Sequence, residues 1–308
     1  MAAEVKCRVA EGTTSQRSGR SSGWSRWVKC TNSGWSAEVG TGSFSTVAEA
    51  SINGVSLYYE EHGTGNPMLC IHGTGGSALL WGDAAAELAR RGRVIIYDRR
   101  GCTRSERPDH YDITTVDQHA DDAAGLLEAL DATPAVVIGR SYGADVAVDL
   151  VQRYPDLVRA LVLLEPAVFA LSAETLAWGE MVRSQLQAAA AAGGPGAASE
   201  RLYRIMLGDA IWQGFPDAVR QMVVDNGPAV LAEFAGGWSR PDPAVLARVR
   251  QPVLIVSAAS SPPAFRSAND ALSGMIPGAR HELIGGGHLL SPAAPVVLDF
   301  LEAVLDKR

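Results

Sequence analysis

Short apolar runs alternate with segments of helical periodicity along most of the chain. The first two runs, 46–52 and 55–60, flank Asn53-Gly54, a dipeptide typical of type I′ turns between antiparallel strands. Later runs are short and nearly continuous, which favours strands of a mostly parallel sheet covered on both faces. We predict these strands at 68–71, 94–97, 135–138, 160–164, 253–256 and 282–284. Helices are predicted between them at 77–91, 113–131, 143–154, 264–276 and 293–306. The pattern therefore predicts an α/β fold with a mostly parallel, eight-stranded sheet flanked by helices.

Two segments depart from this alternation. Residues 1–44 are rich in Ser, Gly and Thr and show neither helical nor strand periodicity, which predicts a disordered tail. Residues 166–250 separate two successive strands with helical periodicity alone, which predicts a helical lid over the carboxyl edge of the sheet. The folded core then comprises 45–165 and 251–308.

Composition and charge narrow the function classes. The 308 residues carry a net charge of −7, and phosphate binding needs clustered Lys and Arg, so we expect no nucleic-acid partner. No apolar run approaches the roughly 20 residues that span a bilayer, and the first 44 residues hold no signal-peptide core. We therefore expect a cytoplasmic protein with a small-molecule substrate and no membrane partner. The four cysteines have no C-x-x-C spacing, and Cys70 is expected in the core.

The pentapeptide Gly-Arg-Ser-Tyr-Gly at 139–143 carries the first candidate chemistry. It follows the predicted strand 135–138 and opens a predicted helix, so the chain must reverse sharply at Ser141. Flanking glycines remove the Cβ atoms that would collide in such a turn. Ser141 is the candidate nucleophile, and the amide of Tyr142, at the start of the helix, is a candidate oxyanion donor.

A serine alcohol needs a general base to attack at neutral pH. His288 is the best candidate, because it stands in a glycine-rich loop between the last predicted strand and the last predicted helix. The other five histidines fit less well. His62, His110 and His281 lie in predicted turns or at edges, His119 on a solvated helix face, and His72 in a different loop, where it is expected to be structural.

That loop, His-Gly-Thr-Gly-Gly at 72–76, is the candidate source of a second oxyanion donor. Glycines allow several backbone amides to point inward without steric cost. We assign the donor to Thr74, with Gly75 as the alternative.

Together these motifs resemble the α/β-hydrolase superfamily, from about residue 46 to the C-terminus. The resemblance rests on the 72–76 loop, Tyr-Asp-Arg-Arg-Gly at 97–101, the serine pentapeptide and the late Gly-His. It implies an α/β-hydrolase fold with a catalytic triad and a structural role for Asp98 in the turn after its strand. No metal or organic cofactor is needed by such chemistry.

The triad acid is where this sequence departs from the family pattern. In the family the acid usually follows the strand that we place at 253–256, but 257–263 contains no carboxylate. Some members place it after the strand that ends here at Glu165, which is our first candidate. Asp270 is the alternative, and a Ser-His dyad or an inactive site is the third possibility.

We therefore expect a serine hydrolase that cleaves a carboxylic ester, lactone or thioester through an acyl-enzyme on Ser141. Carbon–carbon hydrolysis, perhydrolysis and a non-catalytic binding protein are the alternatives. Arg140 and Tyr142 flank the nucleophile and are candidates for specificity, while Asp145 is expected to stabilise the start of its helix by its charge. An apolar ester is suggested as substrate by the aromatic residues Trp81, Trp178, Trp212, Phe215 and Phe265.

Overall fold

A computed structural model describes residues 5–9, 28–29 and 45–306 of the chain. The ten strands in these residues are β1 Val5–Val9, β2 Val28–Lys29, β3 Ser45–Ile52, β4 Val55–His62, β5 Pro67–Ile71, β6 Arg93–Tyr97, β7 Ala135–Arg140, β8 Val158–Leu164, β9 Val253–Ala258 and β10 Arg280–Ile284. They form one sheet in the order β10-β9-β8-β7-β5-β6-β4-β3-β1-β2. The eight strands from β3 to β10 are those predicted from the sequence. β1 and β2 fall within the predicted tail, residues 1–44. The rest of that tail lies outside the described part of the chain.

The predicted hairpin joins β3 to β4. Asn53 and Gly54 have φ values of 47° and 81°, as a type I′ turn requires, and Ile52 pairs directly with Val55. β4 also pairs antiparallel with β6, whereas the strands from β5 to β10 pair in parallel. The antiparallel hairpin thus extends a parallel sheet on one side.

Alternate residues of each central strand enter two separate cores. In β7, Val137 lies in the core on one face, while Val136 and Ile138 lie in the core on the other. All six residues of β7 are buried, which explains why it appears in the sequence as a continuous apolar run.

Helices cover both faces of the sheet. Their bounds are α1 Gly82–Leu88, α2 Val116–Ala129, α3 Tyr142–Arg153, α4 Ala173–Gly193, α5 Pro195–Leu207, α6 Asp209–Gly214, α7 Asp217–Asp225, α8 Gly227–Gly236, α9 Pro243–Leu246, α10 Pro263–Met275 and α11 Pro295–Leu305. The face with Val137 is covered by α2, α3 and α10, and the opposite face by α1 and α11. Among the described residues, no helix is both long and apolar enough to cross a bilayer.

The strand order brings the candidate chemistry to one edge. β5 lies between β6 and β7, so the chain leaves β5 towards one side of the sheet and later returns to the other. Loops that depart in opposite directions from adjacent parallel strands leave a crevice at their carboxyl ends. The 72–76 loop follows β5 and Ser141 follows β7 at this crevice, and Glu165 directly follows β8.

The helices α4 to α9 form an insertion between β8 and β9, within the segment predicted as a lid. The longest of them, α4, is capped by Ser172, whose hydroxyl accepts a hydrogen bond from the Thr175 amide at 3.1 Å. The insertion has an apolar cluster of its own, formed by Val182, Leu186, Ala198, Leu202 and Val230. Its helical character is confirmed, and its action as a lid stays a prediction.

Gly54→Ala tests the turn of the antiparallel hairpin between β3 and β4. The substitution meets no neighbouring atom, so the whole effect comes from placing a Cβ at a φ of 81°. We expect the free energy of unfolding to fall by about 1 to 2 kcal/mol in urea denaturation. Gly274→Ala is the control, because Gly274 is helical, has open space around it and should leave stability equal or slightly higher. Equal stability of the two variants would contradict the positive φ of Gly54 in this turn.

Candidate active site

Ser141 occupies a strained turn between β7 and α3. Its φ and ψ are 53° and −126°, a conformation that non-glycine residues rarely adopt. A Cβ at Gly139 would collide with the carbonyl oxygen of Gly143, and one at Gly143 with that of Ile71, so both glycines are required. The Ser141 amide donates to the carbonyl of Leu164 at 2.8 Å, which fixes the turn to β8. The side chain of Ser141 is left partly exposed above the sheet edge.

Two residues near Ser141 have backbone amides without a partner. Tyr142 is the first residue of α3, and Thr74 belongs to the loop after β5; neither amide donates to a described residue. The Gly76 amide is used internally, since it donates to the Gly73 carbonyl at 3.1 Å. Thr74 and Tyr142 line the cavity that contains Ser141. Their unpaired donors suit an anion formed beside the serine.

Glu165 and His288 are in contact. His288 Nδ1 lies 3.2 Å from Glu165 Oε2, and both side chains are buried. The other carboxylate oxygen, Oε1, accepts a hydrogen bond from the Ala258 amide at 2.7 Å. Because Glu165 occupies Nδ1, the nitrogen of His288 that remains available for a proton from elsewhere is Nε2.

Asp270, the alternative acid, lies apart from this pair. Its side chain is 62% exposed on α10 and forms an ion pair with His281 at 3.2 Å. The geometry therefore favours Glu165 as the partner of His288.

His72 also lines the cavity, but both of its ring nitrogens are engaged. Nδ1 donates to the Gly73 carbonyl at 2.8 Å, and Nε2 accepts from the Arg99 amide at 2.9 Å. Burial, together with the nearby Arg99 charge, holds the pKa of His72 well below its usual value. His72 therefore holds the loop in place, as predicted, and is not free to accept a proton.

The prediction that His119 lies on a solvated helix face is wrong. Its side chain is 1% exposed, and Arg99 Nη1 lies 3.1 Å from its Nε2. Burial lowers its pKa well below the usual value. Helical periodicity could not reveal this, because the side chain that covers His119 comes from a distant part of the chain.

Ser141 and His288 line one cavity at the carboxyl edge of the sheet. Ser141 Oγ makes no hydrogen bond to any described residue. The hydrogen bond between a nucleophile and its general base often tightens only when substrate is bound. The His288 ring packs against Phe265 with ring centroids 4.3 Å apart. The insertion contributes Leu202, Tyr203, Met206, Phe234 and Trp238 to the wall. Of the aromatic residues suggested for substrate binding, Phe265 lines this cavity, and Trp81 and Trp212 are buried elsewhere.

Comparison with known proteins agrees with this architecture. A family model described as the alpha/beta hydrolase fold matches residues 66–195. The chain is 36% identical over 120 residues to the uncharacterized hydrolase YraK of Bacillus subtilis, covering 39% of this chain and 44% of that protein. It is 36% identical over 117 residues to a 2-hydroxymuconate semialdehyde hydrolase of Pseudomonas sp., covering 37% of this chain and 41% of that protein. The structure of a thermophilic esterase from Thermogutta terrifontis matches with a TM-score of 0.64 and 26% identity, over 81% of this chain and 92% of that one.

The chain has the α/β-hydrolase fold, and residues 66–195 match the family of that name. The match covers well under half the length of the two curated relatives. Other similar proteins are described as a bromoperoxidase, an enol-lactonase and a haloalkane dehalogenase. These similarities support a hydrolase enzyme family, and the individual reaction has to be argued from the site itself.

Asp98 has a structural role, as the resemblance implied. Its buried carboxylate accepts from the Ala78 amide at 2.6 Å and from Arg104 Nε at 2.7 Å, which joins two loops at the sheet edge. Cys70 is buried, as predicted, and Cys102 is also a buried free thiol. Within residues 45–306, no group of three or more His, Cys, Asp or Glu side chains is placed to hold a metal ion.

Asp145 lines the cavity, and its surroundings differ from those expected for a charged carboxylate. It is buried in the first turn of α3, and its Oδ1 accepts from the Ala167 amide at 2.7 Å. Burial raises the pKa of the Asp145 carboxyl well above its usual value, which favours the neutral acid. This differs from the stabilising negative charge that the sequence predicts for Asp145.

Asp145→Asn distinguishes these two roles by pH. Above the ordinary aspartate pKa of about 3.9, the folded protein retains a proton that the unfolded chain has lost, so the wild type loses stability as pH rises. Asn cannot ionise. We expect the unfolding free energy of the variant, relative to wild type, to increase by roughly 1 kcal/mol or more between pH 4 and pH 7 in urea denaturation. Asp217→Asn, at the exposed start of α7, is the control without this rise. A relative decrease for Asp145→Asn would support the charged role.

Proposed function

We propose that the protein hydrolyses a carboxylic ester, lactone or thioester through an acyl-enzyme on Ser141. The observation that carries this proposal is the Glu165–His288 contact at 3.2 Å, beside a strained serine and two unpaired amides in one cavity. The substrate is a small molecule that fits this cavity.

In the proposed mechanism, Ser141 Oγ attacks the substrate carbonyl while His288 Nε2 accepts the hydroxyl proton. Glu165 accepts the Nδ1–H bond, which fixes the tautomer of the ring and stabilises the imidazolium. The amides of Thr74 and Tyr142 donate to the oxyanion, and one such donor is typically worth about 3 to 4 kcal/mol in the transition state. His288 then protonates the leaving group, and water releases the acyl group by the reverse sequence of proton transfers.

The relatives support hydrolysis in general, and they do not favour one type of bond strongly over another. The esterase from Thermogutta terrifontis supports ester cleavage, and the 2-hydroxymuconate semialdehyde hydrolase keeps carbon–carbon hydrolysis as a second candidate. Halide displacement is disfavoured, because an alkyl ether formed on Ser141 could not be released by hydrolysis. A panel of esters, thioesters and β-diketones separates the first two reactions.

Ser141→Ala tests the nucleophile. We expect turnover of p-nitrophenyl acetate to fall on the order of 10⁶-fold with the fold intact, because no other hydroxyl takes the place of Oγ. A fluorophosphonate probe should label the wild type at Ser141 and leave the variant unlabelled. Equal labelling of both proteins, or an active alanine variant, would refute the acyl-enzyme. A folded but unlabelled wild type would favour a binding protein.

Glu165→Gln tests the acid. A Gln amide would donate towards His288 Nδ1 and select the wrong tautomer, so we expect kcat to fall by roughly 10³-fold or more. Asp270→Asn is the matched control and should retain the wild-type kcat, since Asp270 contacts His281 and not His288. The reverse pattern would transfer the role to Asp270.

A further inference from the structure

Arg140, the residue before Ser141, is buried in the cavity wall and only 8% exposed. Its Nη2 donates to the Leu290 carbonyl at 3.0 Å, its Nη1 to the Leu80 carbonyl at 3.4 Å, and its guanidinium lies 5.1 Å from the centre of the Trp81 ring. The remaining N–H groups have no acceptor among the described residues, and Nε is itself buried. Donor capacity is therefore left over on a desolvated cation.

No carboxylate compensates this charge in the described part of the chain. The ionisable groups that interact electrostatically with Arg140 are Tyr203 and Cys70. Burial raises the pKa of each, so both are neutral at pH 7. Burial lowers the pKa of Arg140 to about 10, which still leaves the guanidinium protonated.

The other charged groups around the cavity already have partners. Glu233 forms an ion pair with Arg99 at 2.7 Å, and Arg183 lies 3.4 Å from Glu180. Asp145 favours its neutral acid, and Glu165 is held by His288 and Ala258. Because burying an unpaired cation is costly, Arg140 is the place in the cavity where an anion would bring the largest electrostatic gain.

We propose that Arg140 binds a carboxylate carried by the substrate, so that the protein acts on anionic esters or lactones whose acyl part ends in a carboxylate. A guanidinium forms planar, paired hydrogen bonds to a carboxylate, and these are stronger than bonds between neutral groups. The wall near Phe265 and Trp238 would hold the apolar part of such a substrate. This inference rests on the proposed hydrolysis at Ser141.

The kinetic test compares p-nitrophenyl hydrogen adipate with p-nitrophenyl hexanoate, two esters with six-carbon acyl chains that differ in the terminal carboxylate. We expect wild type to have the higher kcat/KM for the adipate ester. Arg140→Met should lower this preference by roughly 10- to 100-fold, mainly through KM, and Arg140→Lys should restore part of it. Arg183→Met removes the other cavity arginine and should keep the wild-type preference. If Arg140 only fastens the loop of His288 through Leu290, Arg140→Met lowers kcat for both esters equally, and the proposal fails.

A binding test separates this proposal from the hydrolysis itself. Calorimetry with Ser141→Ala should show binding of adipate and at least about tenfold weaker binding after Arg140→Met is added, while neutral adipamide should not discriminate between the two proteins. Equal adipate affinity with and without Arg140→Met would overturn the carboxylate site. Arg140-dependent binding in a protein whose Ser141 is not labelled by fluorophosphonate would keep the site and reject the hydrolysis.

Discussion

The site depends on parallel-sheet hydrogen bonds that continue one residue beyond the strands. The Ser141 amide donates to Leu164 of β8 at 2.8 Å, and the Glu165 amide donates to Val256 of β9 at 2.9 Å. Both residues have positive φ, 53° and 54°, and such conformations cost about 1 to 3 kcal/mol each. The sheet itself therefore holds the two strained residues, so their side chains stand above the same edge without support from a mobile loop.

A second constraint lies beneath the loop after β5. Arg99 donates through Nε to the His72 carbonyl at 3.0 Å and through Nη2 to the Gly73 carbonyl at 3.1 Å, while Glu233 neutralises its charge at 2.7 Å. Glu233 belongs to α8, so the inserted helices and the loop that presents the Thr74 amide share one buried charged network. Removing either charge would leave the other uncompensated in the interior, which couples the order of the insertion to the order of the loop.

Features set by local chain geometry could be predicted from the sequence. The turn at Asn53-Gly54 and the reversal at Ser141 depend on residues within a few positions, and the positive φ of each is carried by a local pattern. Features set by packing between distant segments could not. His119 is buried and contacts Arg99, which lies 20 residues earlier in the chain. The surroundings of Arg140, which leave its charge without a carboxylate, are formed by Leu80, Leu290 and Tyr203 from three separate parts of the chain. Periodicity contains no information about such contacts.

The contact between Glu165 and His288 shows how a carboxylate that follows β8 reaches the imidazole. In the family pattern the acid follows β9, and here residues 259–263, which follow β9, contain no carboxylate. Glu165 starts one strand closer to the serine, yet its carboxylate accepts from the Ala258 amide at 2.7 Å, at the end of β9. The same amide fixes Oε1 and leaves Oε2 directed at His288 Nδ1. The glutamate side chain is one methylene longer than that of aspartate, which helps it to reach towards the neighbouring strand about 4.8 Å away. A carboxylate that follows β8 therefore lies beside the imidazole.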